Sequence, residues 1–381
     1  MFQTPRSLRR RLYGTAILLA TTWTSPTFVP VTHAQGYTDP QWPKTDFSKT
    51  LVDLDEIISG GPPKDGIPAI DKPEFVSTRE ASDWVNPQEP VIVVSVAADA
   101  RAYPLQILIW HEIVNDTVGG RLVSVTFCPL CNSSLVFDRR VNDRVLDFGT
   151  TGRLRKSDLV MYDRQTESWW QQLTGRAIVG ELAGTRLTQV PASIVAFGDF
   201  AKTYPNGKVL SRRTGYSRPY GNNPYRGYDR IGDQPFLFTD TVDPRLPAME
   251  RVISISVNGK HKLYPFSIFA NDPIINDKVN GLPVVVFSRQ GTLSVLDQET
   301  IARSRAVPSA TAYERELNGR VLTFELRDGK ILDRETQSQW GLFGNAIDGQ
   351  LIGQRLKPTE SGVHFAFAWL AFNVDSEIYG R

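Results

Sequence analysis

The chain has 381 residues, 41% of them hydrophobic and 22% charged, which suits an ordinary globular protein of about two domains. Four of its 43 basic residues fall in the first 34 positions, which hold no acidic residue, so the remaining body has a slight acid excess and lacks the basic footprint of a nucleic-acid binder. Only two cysteines are present, too few for a disulfide framework, and no apolar run has the length of an integral membrane segment.

The first element is an export signal. Arg6, Arg9, Arg10 and Arg11 precede a short apolar run from Leu12 to Trp23, and Thr32-His33-Ala34 supplies small residues where a signal peptidase reads. Arg9-Arg10 also gives a weak twin-arginine pattern. A signal peptide over 1–34 implies a periplasmic or extracellular protein, with no integral membrane segment after its removal. Residues 35–89 are rich in Pro, Gly and Asp and read as an extended lead-in around the body.

The body repeats itself. Val94-Ser95-Val96 with Arg101-Ala102-Tyr103-Pro104 returns as Ile255-Ser256-Val257 with Lys262-Leu263-Tyr264-Pro265. Asn115-Asp116 matches Asn276-Asp277, Phe127 is matched to Phe287, and Asp163-Arg164-Gln165-Thr166-Glu167-Ser168-Trp169-Trp170 returns as Asp333-Arg334-Glu335-Thr336-Gln337-Ser338-Gln339-Trp340. A duplicated unit follows, with a first lobe over 90–205, an inter-lobe loop over 206–249 and a second lobe over 250–381.

Both lobes read mainly as strands. Residues 91–96, 122–127, 134–137, 145–148 and 321–326 are short runs rich in β-branched and aromatic residues, separated by Asn-Asp, Gly-Gly and Asn-Gly turns. Short helices are expected at 105–114, 192–203 and 363–372. The fold class is therefore α+β and β-rich, with two pseudo-symmetric lobes. The Asp-Arg-x-Thr-x-Ser-x-Trp motif occurs in both lobes, which marks it as a turn that maintains the fold.

Residues confined to one lobe are the better candidates for chemistry. His111, Cys128 and Cys131 are aligned with Asp272, Ser288 and Gly291, so three soft ligands disappear together. Two thiolates and an imidazole suit zinc or copper, and three protein ligands with an open position are the pattern of catalytic zinc or of copper handling. Glu112 is the candidate general base beside such a site. The same Cys-Pro-Leu-Cys run also fits a thiol–disulfide oxidoreductase, although the residues after Cys131 read as a strand where that chemistry needs a helix. Between the lobes, residues 212–230 interleave arginines with tyrosines in a stretch without secondary-structure period, and Arg218, Tyr225 and Tyr228 are candidate substrate-binding residues.

Gly66-Ile67-Pro68-Ala69-Ile70, Trp110-His111-Glu112-Ile113-Val114-Asn115-Asp116, Cys128-Pro129-Leu130-Cys131, the Asp163–Trp170 motif and Asn223-Pro224-Tyr225-Arg226-Gly227-Tyr228-Asp229 together resemble the exported bacterial family catalogued as domain of unknown function 3179. The usual Gly after the second Cys is Asn132 here. The resemblance implies export and gives weight to these motifs, but it implies no activity and no partner. An exported metal-binding protein or metalloenzyme, a thiol–disulfide oxidoreductase and a non-catalytic envelope binding protein all remain open.

Overall fold

The computed structural model describes Met1 and residues 38–381. Apart from Met1, the signal segment expected over 1–34 lies outside them. Contacts divide the chain at Thr32 and His33, and everything below concerns the unit from His33 to Arg381.

The described residues are β-rich with a few short helices, as expected. Runs such as Val91-Ile92-Val93-Val94 are buried on both faces, so their continuous β-branched character places them as inner strands. In one five-stranded sheet Pro90–Val96 lies between Ala192–Ala196 and Asp99–Pro104, with Lys208–Leu210 and then Phe75–Ser77 beyond. An eight-stranded sheet contains the sequence Glu360–Phe365, Arg251–Val257, Lys260–Pro265 and Glu377–Ile378, with the same alternation of antiparallel pairs and one closing parallel pair. Its other half is Ser133–Asp138, Arg121–Cys128 and Ile113–Val118, joined through the pair Val363 and Ser134. Strands from both expected lobes therefore share one sheet.

Two meanders also correspond. One runs Phe148–Arg155, Asp158–Asp163, Trp169–Gln171 and Arg176–Val179, with Ile57–Ser59 at its edge. The other runs Phe324–Arg327, Lys330–Asp333, Gln339–Trp340 and Ala346–Asp348. The Asn115 side chain brackets Phe148, donating to its carbonyl at 2.8 Å and accepting from its N–H at 3.1 Å, and Asn276 brackets Phe324 in the same way at 2.8 Å and 2.8 Å.

Three sequence expectations change. Helix over 105–114 is confined to Leu105–Leu108, because Glu112 takes a left-handed φ of 58° and a strand starts at Ile113. Residues 192–203 and 363–372 each divide into a strand, Ala192–Ala196 or Glu360–Phe365, followed by a helix, Phe197–Thr203 or Ala366–Leu370. In both cases cross-strand pairing outweighs local helix preference. The ladder also moves one match: Ile113 faces Thr126 and Ile274 faces Phe287, so Phe287 stands at the level of Thr126 rather than Phe127. A one-residue shift reverses which face a side chain occupies.

The repeated turn motif is a hydrogen-bonded unit. Buried Asp163 accepts from the Thr166 N–H at 2.7 Å, the Thr166 hydroxyl at 2.9 Å and Trp170 Nε1 at 2.9 Å. Buried Asp333 accepts from the corresponding Thr336 N–H at 2.6 Å, Thr336 hydroxyl at 2.8 Å and Trp340 Nε1 at 2.9 Å. Replacing either aspartate with alanine strands buried donors, so each of Asp163→Ala and Asp333→Ala is expected to lower unfolding free energy by about 2–4 kcal/mol in denaturant titrations. A loss below about 0.5 kcal/mol would show that the motif does not brace the fold.

Candidate functional site

Cys128 ends the strand Arg121–Cys128 and faces Ser133, the first residue of the next strand. Pro129 to Asn132 make the turn between them, with Asn132 at φ 46°, a left-handed conformation that asparagine tolerates. The chain after Cys131 is a strand, so no helix N-terminus acts on either thiol. Both cysteines are free and buried. Burial pushes the Cys128 thiol up, and burial followed by contact with Cys128 pushes Cys131 well above the ordinary thiol range.

The strands Phe148–Arg155 and Asp158–Asp163 are joined by only Lys156 and Ser157, since Arg155 pairs directly with Asp158. Lys156 has φ 53° and Ser157 φ 64°, the left-handed pair that a two-residue hairpin demands and that Asn-Gly usually supplies. Holding two non-glycine residues there costs on the order of 1–2 kcal/mol each. The Ser157 carbonyl accepts from the thiols of Cys131 and Cys128 at 3.4 Å and 3.9 Å.

The next residue, Asp158, is fully buried. Its Oδ2 accepts from Gln171 Nε2 at 2.7 Å and from the Leu173 N–H at 2.9 Å, whereas its Oδ1 has no hydrogen-bond partner. Ligand atoms of Cys128, Cys131 and Asp158 all lie within 4.8 Å of one another, so these three can hold a metal ion. Burial raises the Asp158 carboxyl to about 6, against the hydrogen bonds that favour its charged form.

His111 does not join this group. Its Nδ1 lies 2.7 Å from the Pro68 carbonyl, which only accepts, so Nδ1 carries the proton. Its Nε2 then accepts from the Tyr220 hydroxyl at 2.6 Å. Both ring nitrogens are engaged, and Asp158 stands where the imidazole was expected. The sequence offered little sign of Asp158: it opens a strand-like run, and Lys156-Ser157 does not read as a hairpin turn.

Glu112, the candidate base, is buried, and burial followed by the charge of Asp158 raises its carboxyl to about 8. Tyr225 and Tyr228 pack against the apolar cluster that contains both cysteines. Burial, then Glu112 and Cys128, push the Tyr225 phenol up, while burial outweighs a hydrogen bond from the Phe236 N–H in raising Tyr228. Arg218 instead acts electrostatically on His111 and Tyr220. The segment carrying these residues is tied down: the Asn223 N–H donates to the Glu299 carbonyl at 2.7 Å, Gly227 to Asp297 at 2.8 Å, and Asp229 pairs with Arg251 and Arg305 at 2.6 Å and 2.8 Å. It is an ordered strap over the cysteines. Among the described residues no ion pair or cationic hydrogen bond reaches Glu112, Cys128, Cys131 or Asp158.

Glu112 gives a pH signature. A carboxyl raised from 4.5 to about 8 on folding adds stability that is complete below pH 4.5 and is lost as pH rises through about 8. Asp158 contributes the same sign of slope only up to about pH 6. Glu112→Gln is therefore expected to flatten the fall in melting temperature between about pH 6 and 8, as measured by thermal unfolding across pH. An unchanged slope would place the Glu112 carboxyl in water.

The family described as protein of unknown function, DUF3179, matches residues 64–376, a span that contains the thiol pair, Asp158, His111 and the strap. No curated protein and no solved structure matches the chain. The matched span covers most of the sequence, and the chain belongs to the DUF3179 family.

Proposed function

We propose that this is an exported metal-binding protein whose ion is held by Cys128, Cys131 and Asp158, and that zinc is the ion. One observation carries the reading: Asp158 Oδ1 is buried without a partner beside two buried thiols, with no cation paired to the group. A divalent ion would satisfy that oxygen and favour the ionised forms of all three donors at once. Two thiolates and a carboxylate suit zinc, whereas copper(I) favours sulfur and imidazole, and the His111 imidazole is engaged elsewhere. Three protein donors leave a position open. Glu112, buried near enough to feel the charge of Asp158, is the candidate proton carrier beside that position. Thiol–disulfide exchange needs a lowered thiol pKa, the opposite of what burial does here.

Export is proposed on the Arg6–Arg11 cluster and the apolar run behind it. The recurring strand order, the paired Asn115/Asn276 brackets and the paired Asp163/Asp333 turns support descent from a duplicated unit, with the metal site retained in the first copy.

Metal analysis of the purified full chain is expected to find about one zinc per chain. Cys128→Ser and Cys131→Ser should abolish loading, and Asp158→Asn, which keeps an acceptor for Gln171 and Leu173, should weaken it. Gln171→Ala should cost about 10–100-fold in affinity, the usual loss on removing a group that orients a ligand. Ser288→Ala should change nothing. A metal-free protein with Cys128 and Cys131 joined as a disulfide would overturn the reading. Intact mass of secreted protein tests export: cleavage near Ala34 is expected, and retention of 1–34 would refute it.

A further inference from the structure

A cavity of about 460 Å³ is lined in part by Gln171 and Leu173, the residues that hold Asp158, and its occupant is the open question. Arg155, Arg176 and Arg186 line it together with an apolar surface that includes Leu173, Trp369 and Phe372. No aspartate or glutamate is in that lining. Arg155 pairs with the half-exposed Glu56 at 2.6 Å, and Arg186 reaches Glu360 at 3.5 Å with both side chains open to water. Among the described residues, nothing pairs with the Arg176 guanidinium.

Arg176 and Arg186 also face each other directly as a bridged antiparallel pair. Like charges directly opposite on a sheet destabilise it. The matching bridge in the second half joins Asn345 to Arg355, so the two-arginine arrangement is confined to the half that carries the cysteines. Such a pair becomes favourable when an anion sits between the guanidinium groups, whose planar forks match carboxylate and phosphate oxygens. The remaining lining mixes apolar and aromatic side chains with the polar Gln171, Thr174, His261 and Asn373, and the volume is that of a small-molecule pocket.

We propose that this cavity binds a small anion carrying a flat apolar group, of the class of aromatic phosphate esters and carboxylates. Arg176 and Arg186 hold the anionic end, and Leu173, Trp369 and Phe372 cover the apolar body. The site stands apart from the metal reading, although the two share a wall: Gln171 and Leu173 line the cavity and also hold Asp158.

Phenyl phosphate is the probe, titrated calorimetrically into the full chain with a chelator present, so that failure of the metal reading leaves the measurement intact. Saturable binding is expected, weakened at least about tenfold by Arg176→Ala and by Arg186→Ala, as for loss of a charge-assisted bidentate contact. Arg140→Ala removes an equal charge from an exposed hairpin and should leave binding unchanged. Inorganic phosphate should bind at least about tenfold more weakly than the ester, because it lacks the apolar body. The melting temperatures of the unliganded Arg176→Ala and Arg186→Ala proteins should equal or exceed that of the parent, since the variants relieve a repulsion. Absence of saturable binding, or equal weakening by Arg140→Ala, would overturn the site. Equal affinity for inorganic phosphate would overturn the apolar half of the assignment.

Discussion

Four acidic groups, Glu112, Cys128, Cys131 and Asp158, are sealed together in an apolar interior without a cationic partner among the described residues. Leaving even one of them ionised and unpaired there would cost several kcal/mol. Glu112 and the two thiols therefore keep their protons at neutral pH unless a cation is present, while Asp158, raised only to about 6, ionises on the two hydrogen bonds to its Oδ2. The Ser157 carbonyl takes hydrogen bonds from both thiols, Gln171 and Leu173 satisfy one oxygen of Asp158, and Tyr225 and Tyr228 keep water away. The left-handed hairpin at Lys156-Ser157 carries a local energetic cost and presents the Ser157 carbonyl and the Asp158 carboxylate to the sulfurs.

What the sequence reveals depends on whether a signal is local. The strands read at 91–96, 122–127 and 134–137, the Cys-Pro-Leu-Cys turn and the Asp163 motif each carry their information within a few residues and are found where they were read. By contrast, 145–148 and 321–326 each break after Val145 or Val321, and a new strand starts at Phe148 or Phe324. Asp158 carries no local signal, because its role arises from a two-residue turn that does not resemble one and from a partner strand far along the chain. His111 misled for the opposite reason. Its loss from the second half looked like the loss of a ligand, whereas in the structure it answers to Pro68 and Tyr220, one in the lead-in and one in the strap. The helices at 192–203 and 363–372 were overextended because sheet pairing is a long-range property.

The two halves differ most in the connections that follow the strand Arg121–Cys128 and the strand Leu282–Leu293. In the first half a four-residue turn follows Cys128 and contains Cys131. In the second half the strand runs on from Leu282 to Leu293, and the longer connection over 294–305 reaches the strap that covers the first-half cysteines. One half carries the two cysteines, and the other anchors the strap that covers them.

That division sets an order of assembly. The sheet pairings around Cys128, Cys131 and Asp158 within the first half can form as soon as about half the chain is available. The strap cannot seat until residues 294–305 have arrived to receive Asn223, Gly227 and Asp229. In a chain that folds as it is made, the thiols are gathered before the strap can roof them, and in between they stand open to solvent. For such a chain, whatever the centre contains can enter in that interval and is enclosed once residues 294–305 anchor the strap.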